Sequence, residues 1–115
     1  MDLPTTRLNA EISTAPQLTP DAMAAAAAAG FRSVINNRPD FEAGPEQPTS
    51  ASIEAAARAA GLEYVHLPVA GNFQTPEQAQ AMAGLMERLP KPVLAFCRSG
   101  TRSGRLYALS LEHRR

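Results

Sequence analysis

The 115-residue chain has one cysteine, two histidines and no excess of either charge, with 11 basic and 11 acidic residues. A single cysteine excludes an internal disulfide and a cysteine-rich zinc site. His66 and His113 lie too far apart for the spacing of metal ligands, so we expect neither a metal ion nor another cofactor. With a net charge of zero, the chain has no excess of basic residues of the kind that binds nucleic acid or anionic lipid.

Long hydrophobic runs are missing too. The longest uninterrupted apolar stretch, residues 22–29, is far shorter than the roughly 20 residues that a membrane-spanning helix needs. The first residues lack the basic region and apolar stretch of a signal peptide. We therefore expect no membrane association and a cytoplasmic location, where a lone thiol stays reduced.

What the sequence does contain is a regular alternation of helix and strand signals. Helices are predicted after caps at Thr19, at Thr49 or Ser50, and at Thr75 with Gln78 in a capping box. Their predicted ranges are residues 20–29, 51–60 and 76–89, followed by a last helix from 100–103 towards 111. Strands are predicted at 33–36, 63–68 and 93–96, with residues 7–13 as an edge strand.

Strands that alternate with helices imply a parallel sheet covered on both faces. We predict one α/β domain over residues 1–115, with three layers and a parallel sheet of about four strands flanked by helices. The chain ends soon after the last predicted helix. Three alternatives stay open there: a partner completes the core, a second copy forms a homodimer, or the natural polypeptide is longer.

The loop at residues 97–103, Cys-Arg-Ser-Gly-Thr-Arg-Ser, follows a predicted buried strand and opens a helix. In open α/β sheets, sites form beyond the carboxyl ends of the strands. A cysteine beside a helix N-terminus loses its proton easily, and the thiolate is the nucleophile. Gly100 permits a positive φ that turns successive N–H groups inward, and the planar fork of Arg102 suits a tetrahedral oxyanion.

We therefore predict Cys97 and Arg102 as the catalytic residues. The other residues predicted to bind the anion or substrate belong to the same loop: Arg98, Ser99, Gly100, Thr101 and Ser103. Ser103 is a candidate hydrogen-bond partner of the sulfur, and Arg98 adds positive potential at the rim. The competing interpretation is a buried structural cysteine followed by a capped helix.

The chain resembles the phosphatase-like domain family of β-lactamase-hydrolase-like proteins. The resemblance covers nearly the whole chain and is carried by residues 12–13, 34–40, 59–69 and 93–103. It implies a fold similar to the dual-specificity and tyrosine phosphatases, and members are described both as phosphatases and as sulfur transferases. Some relatives are joined to a metallo-β-lactamase-like domain resembling persulfide dioxygenases, so a separate protein of that kind is a candidate partner.

The resemblance also allows the two reactions to be compared. Cysteine phosphatases place five residues between the nucleophile and the arginine, whereas four separate Cys97 from Arg102, as in the rhodanese loop. Dual-specificity phosphatases usually supply an aspartic acid from the loop that corresponds to residues 69–73, which here has no carboxylate. We therefore predict a cysteine-dependent sulfurtransferase that takes sulfur from thiosulfate or a persulfide onto Cys97.

Two alternatives remain open. The first is a cysteine-type phosphatase with a degenerate general acid, and the second is a non-catalytic module that binds oxyanions or senses redox state. Asp40 and His66 are candidates for the acid or for a contact from a second loop, and Glu42 is a further candidate for the acid. The simpler interpretations are a turn residue for Asp40, a packed or capping side chain for His66 and a solvated charge for Glu42. In every case the expected ligand is a small sulfur or phosphate anion.

Overall fold

The computed structural model describes residues 3–114. In chain order its elements are β1 (Thr6–Arg7), β2 (Ile12–Ala15), α1 (Ala22–Ala28), β3 (Ser33–Asn36), α2 (Ser50–Ala59), β4 (Glu63–His66), α3 (Pro76–Arg88), β5 (Val93–Phe96), α4 (Thr101–Ser110) and a 3₁₀ turn (Leu111–His113). Strands and helices alternate from β2 onwards, which confirms the predicted α/β fold.

The described strands form one sheet in the order β1-β2-β5-β3-β4. β1 is antiparallel to β2, and every other neighbouring pair is parallel. Phe96, the last residue of β5, is paired with Ala15 of β2 and Asn36 of β3. The carboxyl ends of three strands therefore meet at one edge, directly before the loop that begins at Cys97.

The N-terminal segment differs from the prediction. Residues 7–13 are not one edge strand but the end of β1, a turn and the start of β2, so the sheet has five strands in the described chain rather than about four. The turn is fixed by Asn9, whose Oδ1 accepts the backbone N–H of Glu11 at 2.9 Å. β2 is an inner strand and is buried along its length, as expected for a strand with parallel sheet packing on both faces.

Two apolar clusters cover the two faces of the sheet. Because neighbouring residues of a strand face opposite sides, Val34 packs in one cluster and Ile35 in the other. The first cluster includes Met23 of α1 and Ile53 of α2, whereas the second includes residues of α3 and α4 such as Met82. This is the three-layer arrangement that the sequence predicts.

The helix starts show which local signals act as predicted. Thr75 and Gln78 form the predicted capping box, and Thr49 accepts the N–H of Ser52 as the cap of α2. The prediction at Thr19 is wrong, because α1 begins after Asp21 without a side-chain cap and residues 19–23 form a backbone turn first. β4 ends at His66 rather than at residue 68. Within residues 3–114, no helix is long and apolar enough to cross a membrane.

Candidate active site

The loop between β5 and α4 turns backbone donors towards the sulfur of Cys97. Gly100 has a φ of +95°, the left-handed conformation that glycine adopts without steric cost, and its N–H donates to Cys97 Sγ at 3.0 Å. A Cβ at Gly100 would lie 3.4 Å from the carbonyl of Ala15, so the loop lies in contact with β2. Gly100, the N-cap of α4, has no side chain to cap the helix, and Ser99 Oγ accepts the N–H of Thr101 at 3.4 Å.

The Cys97 thiol is buried, and burial by itself raises its pKa. Hydrogen bonds outweigh that effect and hold the pKa below its usual range. They come from the backbone and hydroxyl of Ser103 and from the backbone of Gly100 and Ser99. Because these groups stabilise the charged form, the loop favours a thiolate, the nucleophilic form of cysteine.

Arg102 is the second residue of α4 and is 8% exposed. Its Nη1 donates to the carbonyl of Val69 at 3.1 Å, and Nη1 and Nη2 donate to the two carboxylate oxygens of Glu42, each at 3.1 Å. Its Nε has no hydrogen-bond partner. Among the residues that the structure describes, it is the one buried side-chain nitrogen or oxygen without a partner. A buried donor without a partner costs roughly 1–3 kcal/mol, so the guanidinium retains a donor that an anion would satisfy.

Glu42 is therefore not the solvated loop charge that the sequence suggests. Its carboxylate lies between two guanidinium groups, because Arg38 Nε also donates to it at 2.8 Å. Burial raises the pKa of Glu42, but the hydrogen bonds from Arg102 and Arg38 overcome this and lower it. Arg38 is itself held by Gln17, whose Oε1 accepts from Nη1 at 3.1 Å. Glu42 thus fixes the position of Arg102 as an ionised group.

A second loop, residues 69–74, packs over the guanidinium. Gly71 lies so close that a Cβ there would come within 3.1 Å of Arg102 Nη2. The loop is closed by a bridge between Ala70 and Phe73 and by Gln74, whose Nε2 donates to the carbonyl of Ala70. It carries no carboxylate. The loop therefore holds Arg102 without bringing a carboxylic acid to the site.

Asp40 and His66 have their hydrogen bonds away from the sulfur. Asp40 Oδ1 accepts the N–H of Ser50 at 2.7 Å, at the start of α2. His66 Nε2 lies 2.8 Å from the carbonyl of Arg38. A carbonyl only accepts, so this nitrogen carries the proton. Both side chains stabilise the loop that follows β3. Within residues 3–114, neither forms a hydrogen bond with Cys97 or Arg102.

The remaining predicted loop residues divide into two groups. Arg98, Ser99 and Thr101 are exposed at the rim, whereas Gly100 and Ser103 are buried. The hydroxyl of Ser103 donates to Asn37 Oδ1 at 2.8 Å. Cys97, Arg102 and Ser103 are thus gathered in one place, as expected for residues of one short loop.

Sequence reasoning assigned no role to Asn37 and Arg38, and it considered Glu42 only as a substitute acid or a solvated loop charge. All three follow β3, which lies beside β5 in the sheet. The available signal was their position at the carboxyl end of a strand, where sites form in α/β folds. Their partners could not be identified because Glu42 and Arg102 are 60 residues apart in the chain.

A buried cysteine and an arginine on one strand-to-helix loop, on a three-layer parallel sheet, define the cysteine-phosphatase-like class of α/β folds. Residues 5–113 match the family described as "Beta-lactamase hydrolase-like protein, phosphatase-like domain". The chain belongs to this family, which confirms the resemblance noted in the sequence.

A Beta-lactamase hydrolase-like protein of Xylella fastidiosa (strain Temecula1) is 47% identical over 81 residues, or 70% of this chain and 19% of the relative. The chain thus spans about a fifth of that relative's length. A solved structure of a candidate phosphatase from Neisseria meningitidis Z2491 is 32% identical, with a TM-score of 0.81, and the match covers 88% of this chain and 71% of that one. The active form of Tk-PTP, 21% identical with a TM-score of 0.72 over 96% of this chain and 73% of that one, shares the fold.

Proposed function

We propose that this domain is a cysteine-dependent phosphatase acting on small phosphate monoesters. In this proposal Cys97 is the nucleophile, and Arg102 and the backbone N–H groups of Ser99, Gly100 and Ser103 hold the phosphate. The thiolate forms a bond to phosphorus while the ester oxygen leaves with its electron pair. Water then attacks phosphorus and the sulfur departs as thiolate, so the protein is regenerated.

The observation that carries the proposal is the free Nε of Arg102. The guanidinium is buried and held by Glu42 and Val69, yet one donor is left without a partner beside a loop of inward N–H groups. Fixed donors around a tetrahedral anion stabilise the charge of a phosphoryl-transfer transition state. The phosphatase descriptions of the family and of the Neisseria structure support the same substrate class.

The side chains near the site also limit the leaving group. The carboxylate that reaches Arg102 is Glu42, and its lowered pKa keeps it ionised at neutral pH. An ionised carboxylate cannot donate a proton, and His66 and Asp40 are engaged elsewhere. We therefore propose that the preferred substrates are aryl phosphates, whose acidic leaving groups depart without a proton from the enzyme.

The test is a series of aryl phosphates of decreasing leaving-group acidity. We expect hydrolysis by the wild type, its loss in Cys97→Ser, and a steep fall in kcat/KM as the leaving group becomes less acidic. If kcat/KM does not depend on leaving-group acidity, a general acid operates, and Asp40 would be the first residue to test for that role. Hydrolysis that survives in Cys97→Ser would overturn the proposal.

The arginine has a matched control on the same helix. Arg102→Ala removes the anion donor and is expected to lower kcat/KM by about 100-fold or more. Arg105 is exposed one turn further along α4, so Arg105→Ala removes an equal charge outside the loop and is expected to leave the rate unchanged. Equal losses in both variants would assign the effect to general electrostatics.

A second candidate function, sulfur transfer, is favoured by the four-residue spacing from Cys97 to Arg102 and by the absence of an acid from residues 69–74. The thiolate would attack the outer sulfur of thiosulfate, break the S–S bond and release sulfite, leaving a persulfide on Cys97. Intact mass after incubation with thiosulfate tests this reaction. A gain of one sulfur atom in the wild type but not in Cys97→Ser, removed by cyanide, would move the proposal to a sulfurtransferase.

These assays also address the third possibility, a module that binds oxyanions without turnover. Such a module would show neither hydrolysis nor sulfur loading. Its phosphate binding, measured by calorimetry, would survive in Cys97→Ser and be lost in Arg102→Ala.

A further inference from the structure

Gln17, the second residue after β2, links the cysteine loop to the arginines of the site. Its backbone N–H donates to the carbonyl of Arg98 at 3.2 Å. The next residue, Leu18, is buried and packs in the first apolar cluster. The backbone of Gln17 is therefore fixed between the core and the loop that carries Cys97.

The bond to Arg98 also sets the direction of a donor in the loop. The peptide that joins Arg98 to Ser99 is trans, and in a planar trans peptide the C=O and the following N–H point in opposite directions. Because the carbonyl of Arg98 faces the N–H of Gln17, the N–H of Ser99 faces away from Gln17. Gln17 thus holds this peptide of the loop in one orientation.

The side chain of Gln17 has an equally defined orientation. One end of its amide lies 2.8 Å from the carbonyl of Leu18, which can only accept, so that end is the Nε2 donor. The other end, Oε1, lies 3.1 Å from Nη1 of Arg38, and a guanidinium can only donate. Both partners require the same orientation of the amide, so its acceptor faces Arg38.

The bond from Gln17 holds one edge of Arg38 while another edge contacts Glu42. Arg38 Nε donates to Glu42 Oε1 at 2.8 Å, and Nη1 is held by Gln17. Glu42 in turn accepts from Nη1 and Nη2 of Arg102, and both arginines are buried. A continuous series of hydrogen bonds therefore runs from Gln17 to Arg102. It closes on the cysteine loop, because Gln17 is bonded to Arg98 and Arg102 lies at the end of the same loop.

We propose that Gln17 is a positioning residue: anchored to the cysteine loop by its backbone, it holds Arg38 with its side chain and so keeps Arg102 aligned with the loop. This rests on the proposed role of Arg102 and the loop in binding phosphate. The free Nε of Arg102 and the N–H of Gly100 serve one anion only if their relative direction is fixed. An arginine side chain has large rotamer freedom, so ordering it before the anion arrives removes that cost from binding.

The first experiment follows Arg102 in the ligand-free protein. The NMR order parameter of its Nε–H bond reports motion on the picosecond-to-nanosecond timescale. Gln17→Met removes the acceptor of the side chain but keeps its length and the backbone N–H. We expect the order parameter to fall from the range of a rigid group, about 0.85, to that of a flexible one, below about 0.6. Gln80→Met makes the same change at an exposed position of α3 and should leave the value unchanged. An unchanged order parameter in Gln17→Met would overturn the inference.

A double variant shows whether Gln17 acts through Arg38. Arg38→Met alone should also lower the order parameter of Arg102, and Gln17→Met should cause no further fall in that background, because the two side chains act as one unit. Equal falls in both backgrounds would mean that Gln17 acts through general packing and would contradict the proposal. Gln17→Ala, which also keeps the backbone N–H, is the second variant if Gln17→Met does not fold.

Calorimetry with inorganic phosphate, in the Cys97→Ser background, measures the consequence for binding. We expect Gln17→Met to weaken phosphate binding about tenfold, the value of one hydrogen bond to a charged group, and Gln80→Met to leave it unchanged. Equal phosphate affinity with and without Gln17→Met would count against the role of Gln17. A lack of phosphate binding and of aryl phosphate hydrolysis in the protein with Gln17 intact would overturn the proposed function instead. The order parameter of Arg102 needs neither ligand nor turnover, so it would still decide the role of Gln17.

Discussion

Two helices of this domain, α3 and α4, begin in opposite ways. At the start of α3, Thr75 accepts the N–H of Gln78, and the side chain of Gln78 accepts the N–H of Thr75, so the first turn supplies its own partners. At the start of α4, Gly100 offers no side chain and its N–H donates to the sulfur of Cys97 at 3.0 Å, while the N–H of Thr101 has only a long contact of 3.4 Å with Ser99 Oγ. A capped start stabilises the helix, whereas an uncapped start leaves donors for an anion.

Of the two helix starts, disturbing that of α4 should have the larger effect. Gly100→Ala places a Cβ on a residue with a φ of +95°, a conformation that is strained for an L residue, so we expect the loop to shift. We expect kcat/KM for an aryl phosphate to fall by about 100-fold, the cost of losing one oriented donor, and the free energy of unfolding to fall by about 1–2 kcal/mol.

The control for this prediction is the glycine in the middle of α3. Gly84→Ala meets nothing within 4 Å, and the substitution should stabilise the domain by about 1 kcal/mol without changing the rate. A Gly100→Ala variant that keeps its activity within about twofold would contradict the idea that the left-handed glycine orients the donors.

A smaller effect is expected at the carboxylate that holds Arg102. Glu42→Gln keeps the shape but removes the charge between the two guanidinium groups, and kcat/KM should fall about tenfold, the cost of weakening one hydrogen-bonded charge pair. The pKa of Glu42 is lowered in the folded protein, so the pair contributes its full stability above the ordinary carboxyl pKa of about 4.3. That contribution is lost as the pH falls through the folded-state value.

Urea unfolding at neutral and at acid pH measures this dependence. The difference in unfolding free energy between wild type and Glu42→Gln should be present at neutral pH and shrink in acid. Glu54→Gln is the control, since Glu54 pairs with Arg58 on the exposed surface and such pairs contribute little. A difference that is constant with pH would mean that Glu42 acts through packing.

The contrast between α3 and α4 also shows what the sequence can reveal. The capping box at Thr75 and the loop from Cys97 to Ser103 were predictable because each is written in a few consecutive residues. The role of Glu42 was not, because it depends on a contact with Arg102 across 60 residues. The role of Asn37 was not predictable either, because Asn37 reaches the site only through the adjacency of β3 and β5 in the sheet.

The prediction for the N-terminal region was wrong for a related reason. Loose alternation over residues 7–13 indicates a strand, but it does not reveal that Ile12 begins a strand paired with Val93 at the centre of the sheet. The predicted start of α1 was also wrong. Thr19 is a residue type that often caps helices, but here its carbonyl accepts the N–H of Ala22 in a turn that precedes the helix. In both cases the tertiary structure outweighed the local secondary-structure preference of the residues.

The smallest effect should come from the capped start of α3. Thr75→Ala removes one partner of the capping box and is expected to cost about 1 kcal/mol of unfolding free energy, seen as a Tm lower by roughly 5 °C, while kcat/KM stays the same. Gln80→Ala, at an exposed position of α3 within the same helix, controls for the loss of a surface side chain. A drop in rate beyond that caused by unfolding would mean that α3 transmits its position to the Cys97 loop, since α3 packs against α4. With the rate unchanged, stability and chemistry would be shown to reside in different helix starts of the same small domain.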